Sequence, residues 1–343
     1  MSLIDLLQGD PADELGFDPA ELKAKYLAER DKRIRPDGNE QYTEVADDFA
    51  RYDDDPYTER IERDPVVAPV GGGVEVIVVG GGFGGLLMGG RLKEAGFTDV
   101  RLIERAGDVG GTWYWNRYPG AMCDVESYCY LPMLEELDYL PEHKYSYAPE
   151  IFEHSKAIAR HFDLYDQALF QTNVTGMRWA DEEQRWIIST DRGDTLRARY
   201  VAMANGPLNR PKLPGIPGIT GFGGHTFHTS RWDYDYTGGT DEGNLTGLAD
   251  KKVAIIGTGA TSVQCIPHLG ASAEHLYVFQ RTPSSVDVRN NRETDPEELD
   301  LSPGWQQRRM DNFNVLVSGG DQDQDLVSDG WTDIFRNLTG IAA

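Results

Sequence analysis

The chain has 343 residues, which predicts about two domains, because single hydrophobic cores stop growing near 250 to 300 residues. Its 33 basic residues against 57 acidic ones leave a net charge of −24, a field that repels phosphate backbones and argues against nucleic acid as a partner. The longest largely apolar run, 76–90, has 15 residues including seven Gly, whereas a membrane span needs about 18 apolar residues.

The N-terminus lacks the basic and apolar regions of a secretory signal, and three cysteines do not make a disulfide framework. The chain therefore reads as soluble and cytoplasmic. Residues 1–70 form an acidic extension, with 19 Asp or Glu against 9 Lys or Arg. One helix is expected inside it, capped by Asp18, with Pro19 at its first position and Glu21 at capping-box spacing. Asp53, Asp54 and Asp55 read as a solvated loop before Pro56, and no chemistry is assigned to the extension.

From Val74 the texture changes. VEVIVV predicts a buried strand, GGGFGGLLMGGRLKEAGF a glycine-rich turn entering a helix, and DVRLIE a second strand, together a β-α-β unit. Residues 149–163 have helical periodicity. VTGMRW, RWIIST and TLRARYVAMAN then alternate like a small antiparallel excursion. The stretch from Gly206 to Gly218 carries Pro207, Pro211, Pro214 and Pro217 and reads as a stiff linker. KVAIIG, GTGATSVQCIPHLG and HLYVFQ repeat the β-α-β pattern, after which the chain turns polar with only a weak helical signal. The expected fold is α/β, with two Rossmann-like dinucleotide-binding domains, the second incomplete. Its parts are the extension at 1–70, a first domain at 71–206, a linker at 207–221 and a partial second domain at 222–343.

The first glycine motif fits G-x-G-x-x-G at Gly80, Gly82 and Gly85. Gly80 would make the tight turn, Gly82 would let the backbone approach a pyrophosphate, and Gly85 would let helix and strand pack closely. The pyrophosphate would rest on the free N–H groups of the helix N-terminus. Glu104, 24 residues after Gly80, offers a carboxylate to a ribose. The second motif has Gly257 and Gly259, with Ser262 in the third place. Arg281, again 24 residues on, offers a guanidinium, with Thr282 beside it, where a 2′-phosphate would sit. The first unit is therefore read as the FAD site and the second as the NADP(H) site. The plain alternative for Arg281 is an exposed strand-end arginine.

Two further stretches narrow the class. Residues 110–124, GGTWYWNRYPGAMCD, and 222–233, FGGHTFHTSRWD, together with the paired glycine motifs, resemble the type I Baeyer–Villiger monooxygenases. The second stretch matches that family's F-x-G-x-x-x-H-x-x-x-W-(P or D) pattern at Phe222, Gly224, His228, Trp232 and Asp233. The first matches through Gly111, Trp113, Tyr118, Pro119, Gly120 and Asp124. The resemblance implies that Thr112 and Trp113 line the flavin site and that Asp124 lies near the isoalloxazine as a catalytic residue. It also implies that His228 and Trp232 couple the two domains. NADPH would reduce FAD, O₂ would add to give a flavin C4a-peroxide, and a small-molecule ketone would become an ester or lactone. The family's catalytic arginine, partner of the aspartate, is expected beyond Ala343, as are the returning strands of both domains.

Other readings of the same residues stand beside this one. Trp113, Tyr114, Trp115 and Tyr118 could be core aromatics. His225 and His228 have metal-ligand spacing, but no accompanying Cys or acid cluster supports a metal, and none is expected. Cys123 and Cys129 suggest a flavin disulfide oxidoreductase, although five residues rather than two or four separate them. Nitrogen or sulfur oxygenation and a nucleotide-binding fragment without turnover remain open.

Overall fold

The computed structural model describes residues 16–45, 47–208, 210–284 and 286–334. The ends of the expected first and last segments, 1–15 and 335–343, lie outside the described residues. The elements in chain order are α1 (Pro19–Arg33), β1 (Tyr42–Glu44), β2 (Val74–Val79), α2 (Phe83–Glu94), β3 (Val100–Ile103), α3 (Thr112–Trp115) and α4 (Ser127–Tyr130). There follow α5 (Ala148–His161), β4 (Val174–Ala180), β5 (Arg185–Thr190), β6 (Thr195–Met203), β7 (Lys212–Pro214), α6 (Tyr234–Thr237), β8 (Lys252–Ile256), α7 (Ala260–Ser272), β9 (His275–Phe279) and α8 (Trp305–Val317).

A mixed five-stranded sheet in the order β3-β2-β6-β5-β4 forms the centre. Apart from Glu75 near its start, strand β2 is apolar because it is covered on both faces, as parallel strands are. Val76 and Val78 pack with Leu86, Leu102 and Ile158 on one side, while Ile77 and Val79 pack with Ile103, Ile188 and Leu196 on the other. Strand β3 runs parallel to β2, with Val76 opposite Val100. The β-α-β reading of this stretch matches the observed elements.

The antiparallel excursion is present, but it does more than expected. Strand β6 pairs antiparallel with β5, Ile187 opposite Arg197, and also parallel with β2, Ile77 opposite Val201. Strand β6 thus belongs to the parallel part of the first sheet as well as to the antiparallel excursion, a double pairing that the reading as an antiparallel excursion did not include. A strand has two edges, and here residues 195–198 use one for β5 while 198–203 use the other for β2. Strands β8 and β9 form a separate parallel pair, Ile255 opposite Val278. A third core joins the two sheets. In it Trp113, Tyr118, Tyr145 and Ile151 meet Trp232, Ile255, Cys265 and Leu269.

Two other readings gain detail. The weak helical signal after Thr282 becomes the 13-residue α8, because tertiary contacts supply what periodicity lacks. Gln306 donates to the carbonyls of Leu131 at 2.6 Å and Tyr128 at 3.2 Å, and accepts from the Leu134 N–H at 2.9 Å. Arg309 forks onto the buried Glu126 at 2.6 and 2.7 Å. The linker likewise is not merely stiff, since its β7 pairs antiparallel with β1 of the extension, Thr43 opposite Leu213.

The extension itself is a strap. Helix α1 begins as expected, with the Asp18 carboxylate accepting from the Ala20 and Glu21 N–H groups at 2.7 and 3.4 Å. The acidic triplet is a solvated loop only in part, with Asp54 exposed and its neighbours engaged. Asp55 accepts from the Tyr114 hydroxyl at 2.6 Å and the Gly107 N–H at 3.1 Å, Asp53 pairs with Arg105, and the Asp54 carbonyl accepts from Arg231 at 3.1 Å. Arg63 forks onto Asp194 at 2.6 and 2.7 Å, and the same carboxylate takes the Val66 N–H at 2.7 Å and the Thr190 hydroxyl at 2.5 Å.

Asp194 is fully buried. Burial would raise its carboxyl, but the Arg63 guanidinium, the Thr190 hydroxyl and the Val66 N–H outweigh it and hold the group down at about 2. The unfolded chain, with an ordinary Asp, takes up its proton first as pH falls. The stabilisation is therefore complete above about pH 4 and lost toward pH 2, some 2 kcal/mol in all. Asp194→Asn is expected to destabilise the fold by about 3 kcal/mol at pH 7 by stranding Arg63. It should also flatten the decline in urea-unfolding free energy between about pH 4 and 2, and an unchanged decline would contradict this role of Asp194.

Candidate nucleotide-binding site

The first glycine turn is built from backbone contacts that side chains would block. Gly80 has φ +110°, and a Cβ there would lie 2.4 Å from the Ala204 carbonyl oxygen. A Cβ on Gly85 would lie 1.8 Å from the Gly80 carbonyl oxygen, so α2 rests directly on the turn. Gly82 caps α2 and touches the backbone of Gly111, while the Gly110 N–H donates to the Gly81 carbonyl at 2.8 Å. A second glycine turn is thereby pressed against the first, and α3, the TWYW helix, starts from it.

Glu104 follows the last residue of β3 and is 7% exposed. Its carboxylate accepts from the Gly81 N–H at 2.5 Å and the Ala106 N–H at 2.7 Å. Burial pushes this carboxyl above its ordinary range, against the pull of those N–H groups. The carboxylate is thus fixed at the lip of a cavity of about 550 Å³, which Gly80, Gly82, Glu104, Thr112, Trp113 and Tyr130 line. Trp113 is held there by a 3.0 Å hydrogen bond from its indole to the Tyr130 hydroxyl. Thr112 is exposed at the start of α3.

The residues fit a flavin dinucleotide. The first turn of α2 offers backbone N–H groups without intrahelical partners, a carboxylate stands at the neighbouring strand end, and among the described residues no side chain fills the cradle. The second turn has nearly the same backbone. Gly257 has φ +105°, and Gly259 caps α7 with φ −74° and ψ −175°, against −77° and −174° at Gly82. Ser262 is buried where Gly85 stands in the first copy, so α7 must lie further from its own turn. Thr258 donates its hydroxyl to the Thr282 carbonyl at 3.1 Å, which brings the turn and the end of β9 together. Arg281 is exposed and donates to Gln41 and to the Tyr42 hydroxyl, both in the extension.

Asp124 is exposed, outside the cavity lining, with its backbone carbonyl accepting from the Trp331 indole at 3.0 Å. The other aromatics of the TWYW stretch are core residues: Tyr114, Trp115 and Tyr118 are 0%, 6% and 7% exposed. Tyr118 also reaches across to α7, donating to Gln264 at 2.8 Å, and Gln264 in turn donates to the Met122 carbonyl at 2.9 Å.

Trp232 is buried in the shared core, with its indole on Thr237 at 3.1 Å and its N–H on the Tyr57 hydroxyl at 3.1 Å. His228 caps the turn before it, Nδ1 accepting from the Ser230 N–H at 3.2 Å. Burial and the nearby Arg231 push its imidazole down to about 4. His225 bonds Asp233 at 2.8 Å and stacks on Tyr236, a different environment from that of His228. Among the described residues no group of three or more metal-ligating side chains is assembled. Nor is any helix among them long and apolar enough to cross a membrane.

Sequence reasoning missed Arg231. It is 5% exposed, stacks 3.6 Å over the Trp115 ring and is pulled down to about 10 by burial. Its position inside the F-x-G motif was visible, but nothing in the sequence showed that Trp115 would lie under it. Gln41 and Tyr42 were missed for the same reason.

Cys123 and Cys129 are buried free thiols with different partners, Ser127 at 3.8 Å and Glu126 at 3.7 Å. Burial pushes Cys123 up to about 12, and burial with the Glu126 charge pushes Cys129 up as well. Thiol–disulfide exchange needs a thiolate, which this environment suppresses.

The chain belongs to the pyridine nucleotide-disulphide oxidoreductase family, matching it over residues 77–314. It is 60% identical over 322 residues to neopentalenolactone D synthase of Streptomyces avermitilis, covering 93% of this chain and 54% of that protein. It is 54% identical over 314 residues to a Baeyer–Villiger monooxygenase of Streptomyces coelicolor, covering 91% of this chain and 52% of the other. Among solved structures, the polycyclic ketone monooxygenase from the thermophilic fungus Thermothelomyces thermophila superposes with a TM-score of 0.84 at 42% identity, over 91% of this chain and 53% of that one. A complex of OTEMO with FAD and NADP superposes with a TM-score of 0.61 at 32% identity, over 75% of this chain and 46% of that one. The chain spans about half the length of the curated relatives it matches.

The contrast between the third motif positions is testable. Gly85→Ala should cost about 3 kcal/mol, because α2 has to lift off the turn. Ser262→Gly should cost within about 1 kcal/mol, the ordinary helix penalty of glycine. Urea unfolding followed by tryptophan fluorescence checks both, and equal costs would contradict the packing described.

Proposed function

We propose that these residues belong to an NADPH-dependent flavoprotein monooxygenase that inserts one oxygen of O₂ beside a ketone carbonyl, giving an ester or lactone. The observation that carries this reading is the duplicated glycine turn. Two turns of nearly identical backbone end in opposite chemistries, a buried carboxylate at Glu104 and an exposed guanidinium at Arg281. The similarity to Baeyer–Villiger monooxygenases, and to a neighbour named as a complex with FAD and NADP, supports it.

In this reading the first unit, at 71–206, holds FAD. The second, at 222–343 and incomplete, holds NADP(H), and 1–70 is an acidic extension. Bound together, the two cofactors supply a hydride and a flavin ring able to react with O₂. The chain's own residues bind, orient and shield. The N–H groups beyond Gly82, at the start of α2, would receive the FAD pyrophosphate, Glu104 would face its ribose hydroxyls, and Gly85 would keep α2 close enough to aim them. Thr112 and Trp113 would wall the flavin site, and Trp113 with Tyr130 would help keep water out of it. Gly257, Gly259 and Ser262 shape the second cradle, where Arg281 and Thr282 take the 2′-phosphate. Asp124 would orient a group that stabilises negative charge developing at the reacting centre. His228 and Trp232, in the segment between the sheets, couple nucleotide binding to domain movement. A ketone and O₂ are the partners.

Anaerobic NADPH should bleach the visible flavin band of the protein, and ketones should give esters or lactones in air. Arg281→Ala should lower the preference for NADPH over NADH about tenfold or more. A Cys123→Ser, Cys129→Ser double variant should keep NADPH oxidation. Sulfoxides and N-oxides without any ester would select nitrogen or sulfur oxygenation, and loss of NADPH oxidation in the double variant would revive the disulfide chemistry.

A further inference from the structure

Arg281 is held from outside its own domain. Its guanidinium donates to the Gln41 side-chain oxygen and, at 3.4 Å, to the Tyr42 hydroxyl, 240 and 239 residues away in sequence. These two residues are placed by backbone. Tyr42 stands opposite Pro214 in the β1–β7 pair, and the Gly215 N–H donates to the Gln41 carbonyl at 2.9 Å. A Cβ at 215 would lie 2.5 Å from that carbonyl, so the glycine is what lets the strap come so close.

The chemistry of the contact is selective. Glu40 and Glu44 flank the pair, and the whole chain carries a charge of −24, yet the groups that touch Arg281 are an amide and a phenol. Neutral acceptors fix the planar fork without cancelling its charge, whereas a carboxylate would occupy it as a competing anion.

We infer that Gln41 and Tyr42 are positioning residues for nucleotide specificity: they hold the Arg281 fork ready for the dianionic 2′-phosphate of NADPH. This rests on the reading of Arg281 given above. It gives the acidic extension a role in cofactor choice, exerted through Arg281, because a guanidinium already fixed loses less freedom when the phosphate arrives.

The test compares kcat/KM for NADPH and NADH in the whole flavin-loaded protein carrying these residues. Affinity for adenosine 2′,5′-bisphosphate and 5′-AMP is measured by calorimetry alongside. Gln41→Ala combined with Tyr42→Phe should lower the NADPH-over-NADH ratio about tenfold, the scale of losing hydrogen bonds to a charged group. The loss should appear in KM for NADPH, leaving kcat and the NADH constants unchanged. Gln41→Glu, nearly isosteric and kind to the strand, should lower the ratio further by pairing with Arg281, and should weaken the bisphosphate but not 5′-AMP. Equal losses for both nucleotides would mean mere fold support and overturn the inference. If Arg281→Ala abolishes the preference while all Gln41 and Tyr42 variants keep it, positioning is wrong and Arg281 stands. If Arg281→Ala changes nothing, the underlying reading fails.

Discussion

The architecture depends on one close approach of backbones. The turn at Gly80–Gly82 is clasped between the Glu104 carboxylate on one side and the turn at Gly110–Gly111 on the other. A Cβ on Gly80 would lie 2.4 Å from the Ala204 carbonyl oxygen and one on Gly111 2.7 Å from the Gly82 Cα, so neither position leaves room for a side chain. Their consequence is that strand β2, strand β3, helix α2 and the TWYW helix all end at one point, where backbone N–H groups and a buried carboxylate face the same cavity. The cavity is therefore a product of missing atoms as much as of present ones.

Around that point the chain is tied by polar contacts of long sequence separation. The acidic extension reaches the first sheet through Arg63 and Asp194, the TWYW helix through Asp55 and Tyr114, the linker through β1 and β7, and Arg281 through Gln41 and Tyr42. The two glycine units meet through Tyr118 and Gln264 and through the core containing Trp232. Part of the acid in the extension thus meets specific donors, Asp53 on Arg105 and Asp55 on Tyr114 and Gly107. Asp55 and Asp194 together accept from backbone, hydroxyl and guanidinium groups, which is how carboxylates in a chain of net charge −24 come to support a fold.

Residues whose role depends on local backbone were legible. The glycines at 80, 85 and 257 were assigned to turns and close packing because only glycine has those freedoms, and their geometry agrees. Glu104 and Arg281 were legible because strand length and helix length fix their distance from the glycines. The cap at Asp18 and the strands at 74–79 and 252–256 were legible for the same local reasons.

What stayed hidden were pairings between distant segments. No periodicity marks Thr195–Met203 as the partner of both β5 and β2, because an alternating strand carries no label for its neighbours. The loop at 53–55 looked solvated since charge runs usually are, and only the folded chain sets Tyr114 and Gly107 against Asp55. Trp305–Val317 has weak amphipathicity and is helical because Gln306 and Arg309 find buried partners elsewhere. The sequence by itself determined the two glycine turns, their strands and the opposite charges that answer them, since these depend on φ/ψ freedom and on spacing along the chain. Tertiary structure alone decided that the extension straps both units and grips Arg281, because hydrogen bonds across 240 residues are chosen by the fold as a whole and leave no trace in local pattern.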